Sequence, residues 1–359
     1  MSLNDSSRQF TVSKRALRIL VCTTQVPFAR GGSELLAEGL RDALRARGHE
    51  ADLVALPFSW TPRPNIMRGA LAWRLLDLST VENRPVDLVI ATKFPSYAVR
   101  HPRKVVWLVH QHRQAYDWYG TALSDWGAQP GDAEARKALL RLDRRTLGEA
   151  SKLFAISRNV AGRLRRGNGL TAETLYPPSH LEPLLTPGPF EPFILSVARL
   201  DAAKRVDLLL RALALAPAEL RAVIVGHGPE RQRLVRLAAS LRLGQRVRFT
   251  GFAPDAEVAA LYSRCRAVFY APVDEDYGLS TIEAFHSGKP VVTTTDAGGV
   301  LEFVEDGLSG LVARPEPEAL ARCLAALADE KTARRLGQAN RQRVAAITWD
   351  HAVAKLLGS

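Results

Sequence analysis

The stretch DEDYGLSTIEAFHSGKP, residues 274–290, places two acidic side chains eight positions apart around a tyrosine–glycine pair. Glu275 lies in a loop, whereas Glu283 lies within the apolar pattern of the helix predicted to follow. Gly278 allows a ligand to approach the backbone closely, and the first amides of that helix, at Leu279 and Ser280, point free N–H groups outward. The stretch therefore combines a helix start suited to a phosphate with two carboxylates.

Three further loops place glycines between a strand and a helix. ARGGSE contains Gly31 and Gly32, where small residues would let the backbone contact a diphosphate or an acceptor, although a simple tight turn is the alternative. GHGPE begins at Gly226, and DAGGV contains Gly298 and Gly299. Both are expected to border the same ligand. A full Gly-x-Gly-x-x-Gly dinucleotide fingerprint is absent from the sequence.

The elements that must position these residues alternate between short apolar strands and amphipathic helices in both halves of the chain. A segment with six prolines in seventeen residues, 176–192, separates the halves and indicates a linker. The pattern predicts an α/β fold of two doubly wound Rossmann-like domains that face a central cleft. We expect one domain over 1–180, a second over 181–345, and a C-terminal helix over 346–359 that returns toward the first domain.

Composition narrows the class of protein. The chain has 359 residues, of which 47% are hydrophobic, and no apolar run has the length of a membrane span. Cys22, Cys265 and Cys323 lack metal-type spacing and favour a reduced, cytoplasmic protein. The first fifteen residues are polar and lack an apolar signal core, which indicates a leader before the first strand.

The net charge of +12 is concentrated in the first half. Residues 1–190 contain 27 Lys and Arg against 17 Asp and Glu, and the remainder contains 22 against 20. The imbalance suggests an anionic partner, such as a membrane surface or a phosphorylated acceptor, or else simply reflects an arginine-rich proteome. Nucleic acid is not expected, since no recognisable binding module is present.

Two basic amphipathic segments could meet a membrane. Residues 63–79 mix apolar side chains with Arg63, Arg68 and Arg74, and residues 158–166 contain four more arginines. The competing interpretation is an ordinary helix packed on the sheet with a solvated basic side. Peripheral contact at the inner face of the membrane is therefore one hypothesis for the first half.

The second half resembles the retaining nucleotide-sugar glycosyltransferases of family 4, which have the GT-B fold. The resemblance is carried, in this order, by SVARLDAAKRVDLLLRA, IVGHGPE, VRFTGF, DEDYGLSTIEAFHSGKPVV and DAGGVLEFVEDGLSGLV. The first half resembles the family more loosely, through GGSE and the strand end VHQH.

The resemblance implies that residues 1–180 bind the acceptor and residues 181–345 bind the nucleotide sugar, and it assigns roles to the matching residues. Glu283 would bind the ribose hydroxyls of the donor, and Glu275 the hexose hydroxyls near the reacting carbon. Arg199 and Lys204 would neutralise charge on the departing diphosphate, the part that a metal plays elsewhere. The triplet DED, residues 274–276, also matches an Asp-x-Asp metal signature. We interpret that match as coincidence and expect no metal and no cofactor.

A histidine at the end of the strand VVWLVH would reach the donor sugar in this family, and His110 occupies that position, with His112 as the rival. The nearby aromatic side chains would either stack on a saccharide or lipid-linked acceptor or pack in the core; they are Tyr116, Trp118, Tyr119 and Trp126.

The expected activity is transfer of a hexose from a UDP- or GDP-sugar to an acceptor hydroxyl with retention, in polysaccharide or glycoconjugate synthesis. A sugar-nucleotide epimerase of the same fold and a non-catalytic sugar-nucleotide-binding subunit are the alternatives.

Overall fold

The computed structural model describes residues 15–28 and 30–358. The polar leader expected at the N-terminus falls almost entirely outside this part of the chain.

A parallel sheet forms the centre of the first half, in the spatial order β2-β1-β5-β6-β7-β8. A short antiparallel ribbon of β3 and β4 lies apart from it. The strands are β1 (Arg18–Gln25), β2 (Glu50–Pro57), β3 (Thr80–Val81), β4 (Arg84–Pro85), β5 (Leu88–Ala91), β6 (Lys104–Leu108), β7 (Lys152–Ala155) and β8 (Glu173–Thr174).

A second parallel sheet, in the order β11-β10-β9-β12-β13-β14, forms the centre of the second half. Its strands are β9 (Phe193–Val197), β10 (Arg221–Val225), β11 (Val247–Gly251), β12 (Ala267–Phe269), β13 (Val291–Thr294) and β14 (Gly310–Ala313). The central strands of both sheets are buried, as expected when helices cover both faces of a parallel sheet.

Helices connect the strands and cover the sheets. They are α1 (Gly32–Ala46), α2 (Pro64–Leu75), α3 (Asp132–Gly148), α4 (Arg158–Asn168), α5 (Val206–Leu215), α6 (Arg231–Ser240), α7 (Asp255–Arg264), α8 (Leu279–His286), α9 (Pro317–Ala328), α10 (Glu330–Gly337), α11 (Asn340–Val344) and α12 (Trp349–Leu357).

Helix α4 shows how the sequence sets an element's ends. Its N-cap Ser157 accepts a hydrogen bond from the Val160 amide at 3.0 Å, and Gly169 ends it with φ of 67°. A glycine in the left-handed conformation directly after Asn168 is typical of a helix C-terminus.

The last helix, α12, lies on the first half of the chain. The ring of Trp349 is 6.2 Å from that of Trp107 in β6, and it fills the space beside Gly39 of α1, where a Cβ would approach within 2.6 Å. Asp350 and Lys355 form ion pairs with Arg47 and Glu173. The chain therefore crosses between the halves twice.

The carboxyl ends of the two sheets face each other. The loop after β1, the loop after β6 and the start of α4 all contact the segment 274–279 of the second half. Ligands of doubly wound sheets bind at this edge, so the fold places its predicted site residues along the cleft.

Candidate active site

Glu275 lies in the loop between β12 and α8 and pairs with Lys204. The Lys204 ammonium and the Tyr270 hydroxyl both donate to Oε2 of Glu275, the latter at 2.9 Å. Burial would raise the pKa of Glu275, but the charge of Lys204 together with the hydrogen bonds from Lys204 and Tyr270 outweighs it and lowers the pKa. In the part of the chain that the structure describes, Oε1 has no hydrogen-bond partner. Glu275 is thus an ionised carboxylate with one oxygen free.

The two predicted cations differ in their surroundings. Lys204 lies in a 3-10 turn, Ala202–Lys204, whose N-cap Asp201 accepts from the Lys204 amide. Burial opposes its charge, but Glu275 raises its pKa above the ordinary value. The Arg199 side chain is 64% exposed, and its nearest carboxylate oxygen, from Asp201, is 3.9 Å away. Arg199 is therefore free to meet an anion.

Glu283 is buried in α8 and shares its carboxylate with two hydroxyls. Ser179 donates to Oε1 and Tyr262 donates to Oε2, each at 2.8 Å. Burial raises its pKa. Glu283 is therefore not a solvated helix residue. The ribose role remains a prediction, and it requires the ribose hydroxyls to share or replace these two partners.

The start of α8 faces the glycine loop of the first half across the cleft. A Cβ on Gly32 would lie 3.0 Å from Cδ1 of Leu279. Gly278 has φ of 90°, a conformation that favours glycine. The Ser280 hydroxyl donates to the carbonyl of Val197 at 2.7 Å, which fixes the helix start to the end of β9. A ligand at this helix start would touch both halves of the chain.

The glycine loop itself is held by a buried lysine that the sequence analysis missed. The Gly31 amide donates to Oε2 of Glu34 at 2.9 Å. The Lys93 ammonium, at the end of β5, donates to Ser33 at 2.8 Å and to Glu34. The sequence around Lys93 does not indicate this contact, because the lysine follows an ordinary apolar strand and Glu34 lies 59 positions away.

Close contacts with neighbouring backbone explain why glycine occupies positions 226, 298 and 299. A Cβ on Gly226 would lie 1.9 Å from the carbonyl oxygen of Ala198. A Cβ on Gly298 would lie 2.7 Å from the Glu275 amide, and one on Gly299 would lie 2.5 Å from the Asp276 carbonyl oxygen. Gly298 and Gly299 therefore support the Glu275 loop from behind. Ligand contact at Gly226 stays a prediction.

His110, rather than His112, lies beside the Glu275 loop. Its Nδ1 contacts the Gln111 carbonyl at 2.9 Å, which requires a proton on Nδ1 and leaves Nε2 as an acceptor. Burial lowers its pKa, partly opposed by the nearby Asp276 carboxylate, so the ring is neutral. His112 packs between the rings of Phe94 and Trp126, at 5.7 and 5.5 Å, and burial lowers its pKa to about 4.

Of the four aromatic residues after His110, two pack in the core and two are partly exposed. Tyr116 and Trp126 are buried, and the Tyr116 hydroxyl donates to Asp143 at 2.5 Å, so both pack in the core. Trp118 and Tyr119 are partly exposed, and each ring is covered by an arginine guanidinium. Of the four aromatic residues, Trp118 and Tyr119 are therefore the two that an acceptor could contact.

No helix in the described ranges is both long and apolar enough to cross a membrane. Those residues also contain no group of three or more His, Cys, Asp or Glu side chains arranged to hold a metal ion.

Comparison with known proteins gives matches to glycosyltransferases. Residues 188–343 match the family model described as glycosyl transferases group 1. The chain is 36% identical over 187 residues to a D-inositol 3-phosphate glycosyltransferase from Nocardia farcinica, a match that covers 49% of this chain and 41% of that protein. The match thus spans less than half of that relative.

Among solved structures, the fold is similar to a sucrose-phosphate synthase from Thermosynechococcus elongatus, with a TM-score of 0.77, 21% identity, and coverage of 95% of this chain and 98% of the other. It is also similar to HepE from Anabaena in complex with UDP and glucose, with a TM-score of 0.70, 20% identity, and coverage of 95% and 99%. The chain therefore has the GT-B fold, and its residues 188–343 are similar to the glycosyl transferases of group 1.

Proposed function

We propose that this protein transfers a hexose from a UDP- or GDP-sugar to an acceptor hydroxyl with retention at the anomeric carbon. The observation that carries the proposal is the Glu275 carboxylate, which is fixed by Lys204 and Tyr270 and keeps Oε1 free beside the start of α8. A hexose hydroxyl can donate to Oε1, while the adjoining helix start and Arg199 receive the diphosphate.

The transfer proceeds on one face of the sugar. The bond between the anomeric carbon and the β-phosphate oxygen breaks, and its electron pair goes to the diphosphate. The acceptor oxygen bonds to the same face of that carbon, and its proton passes to a diphosphate oxygen. Arg199 and Lys204 stabilise the charge that develops on the leaving group. We propose that these fixed cations make a metal unnecessary.

The neutral ring of His110 would contribute at the sugar. Its Nε2 is an acceptor, since Nδ1 carries the proton that contacts the Gln111 carbonyl. A hydroxyl of the bound hexose can donate to Nε2 without bringing a second positive charge near the oxocarbenium-like transition state. Glu283 would hold the ribose, and the acceptor would enter from the first half, near Trp118 and Tyr119.

The test is donor turnover by the full-length chain. UDP- and GDP-hexoses are supplied with simple saccharide and lipid-linked acceptors, release of nucleoside diphosphate is followed, and NMR gives the anomeric configuration of the product. Glu275→Gln is the matched control and should bind nucleotide without turnover. Inversion of configuration, or loss of activity in excess chelator with rescue by a divalent metal, would contradict the corresponding part of the proposal. An epimerised donor would indicate an epimerase, and binding without turnover would indicate a non-catalytic subunit.

An anionic lipid surface is the second partner that we propose. Ion pairs join the ends of α2 and α3, because Arg63 pairs with Asp132 and Arg74 pairs with Glu149 at 2.5 Å. Arg63 and Arg74 are therefore engaged within the fold, whereas Arg68 is exposed. Helix α2 exposes apolar side chains and α3 exposes cations; they are Met67, Leu71, Leu75, Lys137, Arg141 and Arg144.

Apolar and basic side chains on adjoining helices suit the interface of an anionic bilayer. Flotation with vesicles containing phosphatidylglycerol should recover the wild-type chain, and Leu71→Glu should reduce recovery. Equal recovery with purely zwitterionic vesicles would show that charge is not involved, and no recovery with either would reject membrane contact.

A further inference from the structure

The two aspartates that flank Glu275 bind side chains of the first half of the chain. Oδ1 of Asp276 is 2.6 Å from a guanidinium nitrogen of Arg163, which lies in α4. Oδ2 of Asp274 is 3.1 Å from Nη2 of Arg113, which lies in the loop after β6. Oδ1 of Asp274 accepts from the Asn159 amide at 2.7 Å. Every carboxylate of the triplet DED is thus engaged, and only Glu275 pairs within its own half.

The backbone of the same triplet is held from the first half as well. The Asp274 carbonyl accepts from Arg113 at 2.8 Å, and the Glu275 carbonyl accepts from Asn159 at 2.8 Å. The Asp276 carbonyl accepts from the Ser157 hydroxyl. Three successive carbonyls of the loop that carries Glu275 are therefore bonded by side chains that lie 116 to 161 positions earlier in the chain.

The backbone conformation of this loop needs that support. Asp274 has φ of 43°, in the left-handed region that non-glycine residues seldom adopt. Such conformations persist where surrounding contacts over-determine them. On the other side, the Glu275 amide donates to the Ala297 carbonyl at 3.1 Å, and the Gly299 amide donates to the Glu275 carbonyl at 2.7 Å. The loop is clamped between the two halves.

The helix that carries Asn159 is itself fixed to the second half. Both carboxylate oxygens of Glu302 accept from the first amides of α4, from Arg158 at 2.9 Å and from Asn159 at 2.8 Å. A carboxylate at a helix start is favourable because of the free amides and the helix dipole. The Tyr176 hydroxyl donates to the same carboxylate at 2.8 Å. Asn159 therefore has little freedom relative to the Glu275 loop.

We propose that Asn159, Arg113 and Arg163 are positioning residues for Glu275, so that the loop that carries the catalytic carboxylate is held in place by the half of the chain that does not contain it. This inference rests on the proposed function of Glu275. It also gives Asp274 and Asp276 a role: they anchor the loop to the opposite domain. Turnover then requires the two domains in the relative orientation that joins these groups.

The test compares Asn159→Ala with Arg158→Ala in the full-length chain. Asn159→Ala removes the bonds to Asp274 and Glu275 without changing charge. Arg158→Ala removes a neighbouring cross-domain contact, since the Arg158 side chain is 67% exposed and contacts Glu302 rather than the Glu275 loop. The control therefore separates loss of domain contact in general from loss of loop position.

For Asn159→Ala we expect turnover of the donor to fall at least tenfold while the dissociation constant for the nucleoside diphosphate changes by less than about threefold. Arg158→Ala should keep turnover within about twofold of wild type. Hydrogen exchange of the amides of 274–278 should accelerate in Asn159→Ala and not in Arg158→Ala. Arg113→Lys, which keeps the charge but loses the forked geometry, provides a second variant if Asn159→Ala does not fold.

Wild-type turnover or unchanged exchange in Asn159→Ala and Arg113→Lys would overturn the inference. Equal losses in Arg158→Ala would overturn it too, because a general weakening of the domain contact would then suffice. If the wild-type chain turns over no sugar nucleotide, the proposed function fails. The exchange measurement still decides whether Asn159 holds the loop, since it requires no activity.

Discussion

Replacing Lys204 with alanine would remove the charge that keeps Glu275 ionised. Breaking a buried ion pair by removing one partner costs about 3–5 kcal/mol. The Lys204 and Glu275 side chains are 21% and 16% exposed, so water can partly solvate the carboxylate that is left unpaired. We therefore expect a loss of about 2–4 kcal/mol in unfolding free energy. The donor would also lose a fixed cation, which typically lowers turnover about 10²–10³-fold.

The pH dependence of this loss has a definite sign. In the wild type the pKa of Glu275 is lowered, so its contribution to stability is present above its ordinary value of 4.5 and is lost as the pH falls. Without Lys204, burial is no longer outweighed and the pKa rises. Ionisation then opposes folding, so the variant loses stability relative to wild type as the pH rises above about 4.5.

Urea unfolding of both proteins between about pH 4 and pH 8, together with donor turnover, measures the effect. Lys355→Ala is the matched control, because Lys355 pairs with Glu173 at 2.7 Å on the surface with side chains 45% and 53% exposed. It should lose less than about 1 kcal/mol and no turnover. A stability difference for Lys204→Ala that stays constant with pH, or turnover within about threefold of wild type, would refute the reasoning.

Three other substitutions test the remaining site residues. Glu283→Gln should raise the Kd for the nucleoside diphosphate about tenfold or more. Its thermal midpoint near pH 8 should equal or exceed that of the wild type, because burial disfavours the charged form of Glu283. A lowered midpoint with unchanged Kd would contradict this. Arg199→Ala should lower turnover about 10²-fold with little change in unfolding, since the side chain is exposed; full activity would reject its role. Wild-type turnover should have an acidic limb below pH 6.5 that His110→Asn removes, because the pKa of His110 is lowered from that value; a limb that persists would assign it to another group.

Local patterns predicted the strands and helices well. Short apolar runs bounded by Gly and Pro gave the positions of most strands of both sheets, and the prediction of two parallel sheets agrees with the structure. The strands β3, β4, β8 and β14 were not predicted; the first three have two residues each, too few to show periodicity. Helix α5 begins at Val206, since Asp201 caps a separate 3-10 turn first.

The partners of the site residues could not be predicted in the same way. Tyr270 and Lys204 converge on Glu275 from segments 5 and 71 positions away, and Ser179 reaches Glu283 from the linker, 104 positions away. Pairings at such separations depend on how the sheets pack, which local spacing does not encode. The choice between His110 and His112 likewise depended on the aromatic packing around His112.

The two crossings of the chain between its halves, through 176–192 and again before α12, limit how those halves can move. A body tethered at one point can swivel in any direction, but one tethered at two points turns mainly about the line that joins them. The cleft should therefore open by a hinge rotation of one half about that line. A donor could then enter and a nucleotide leave without sideways sliding of one sheet past the other.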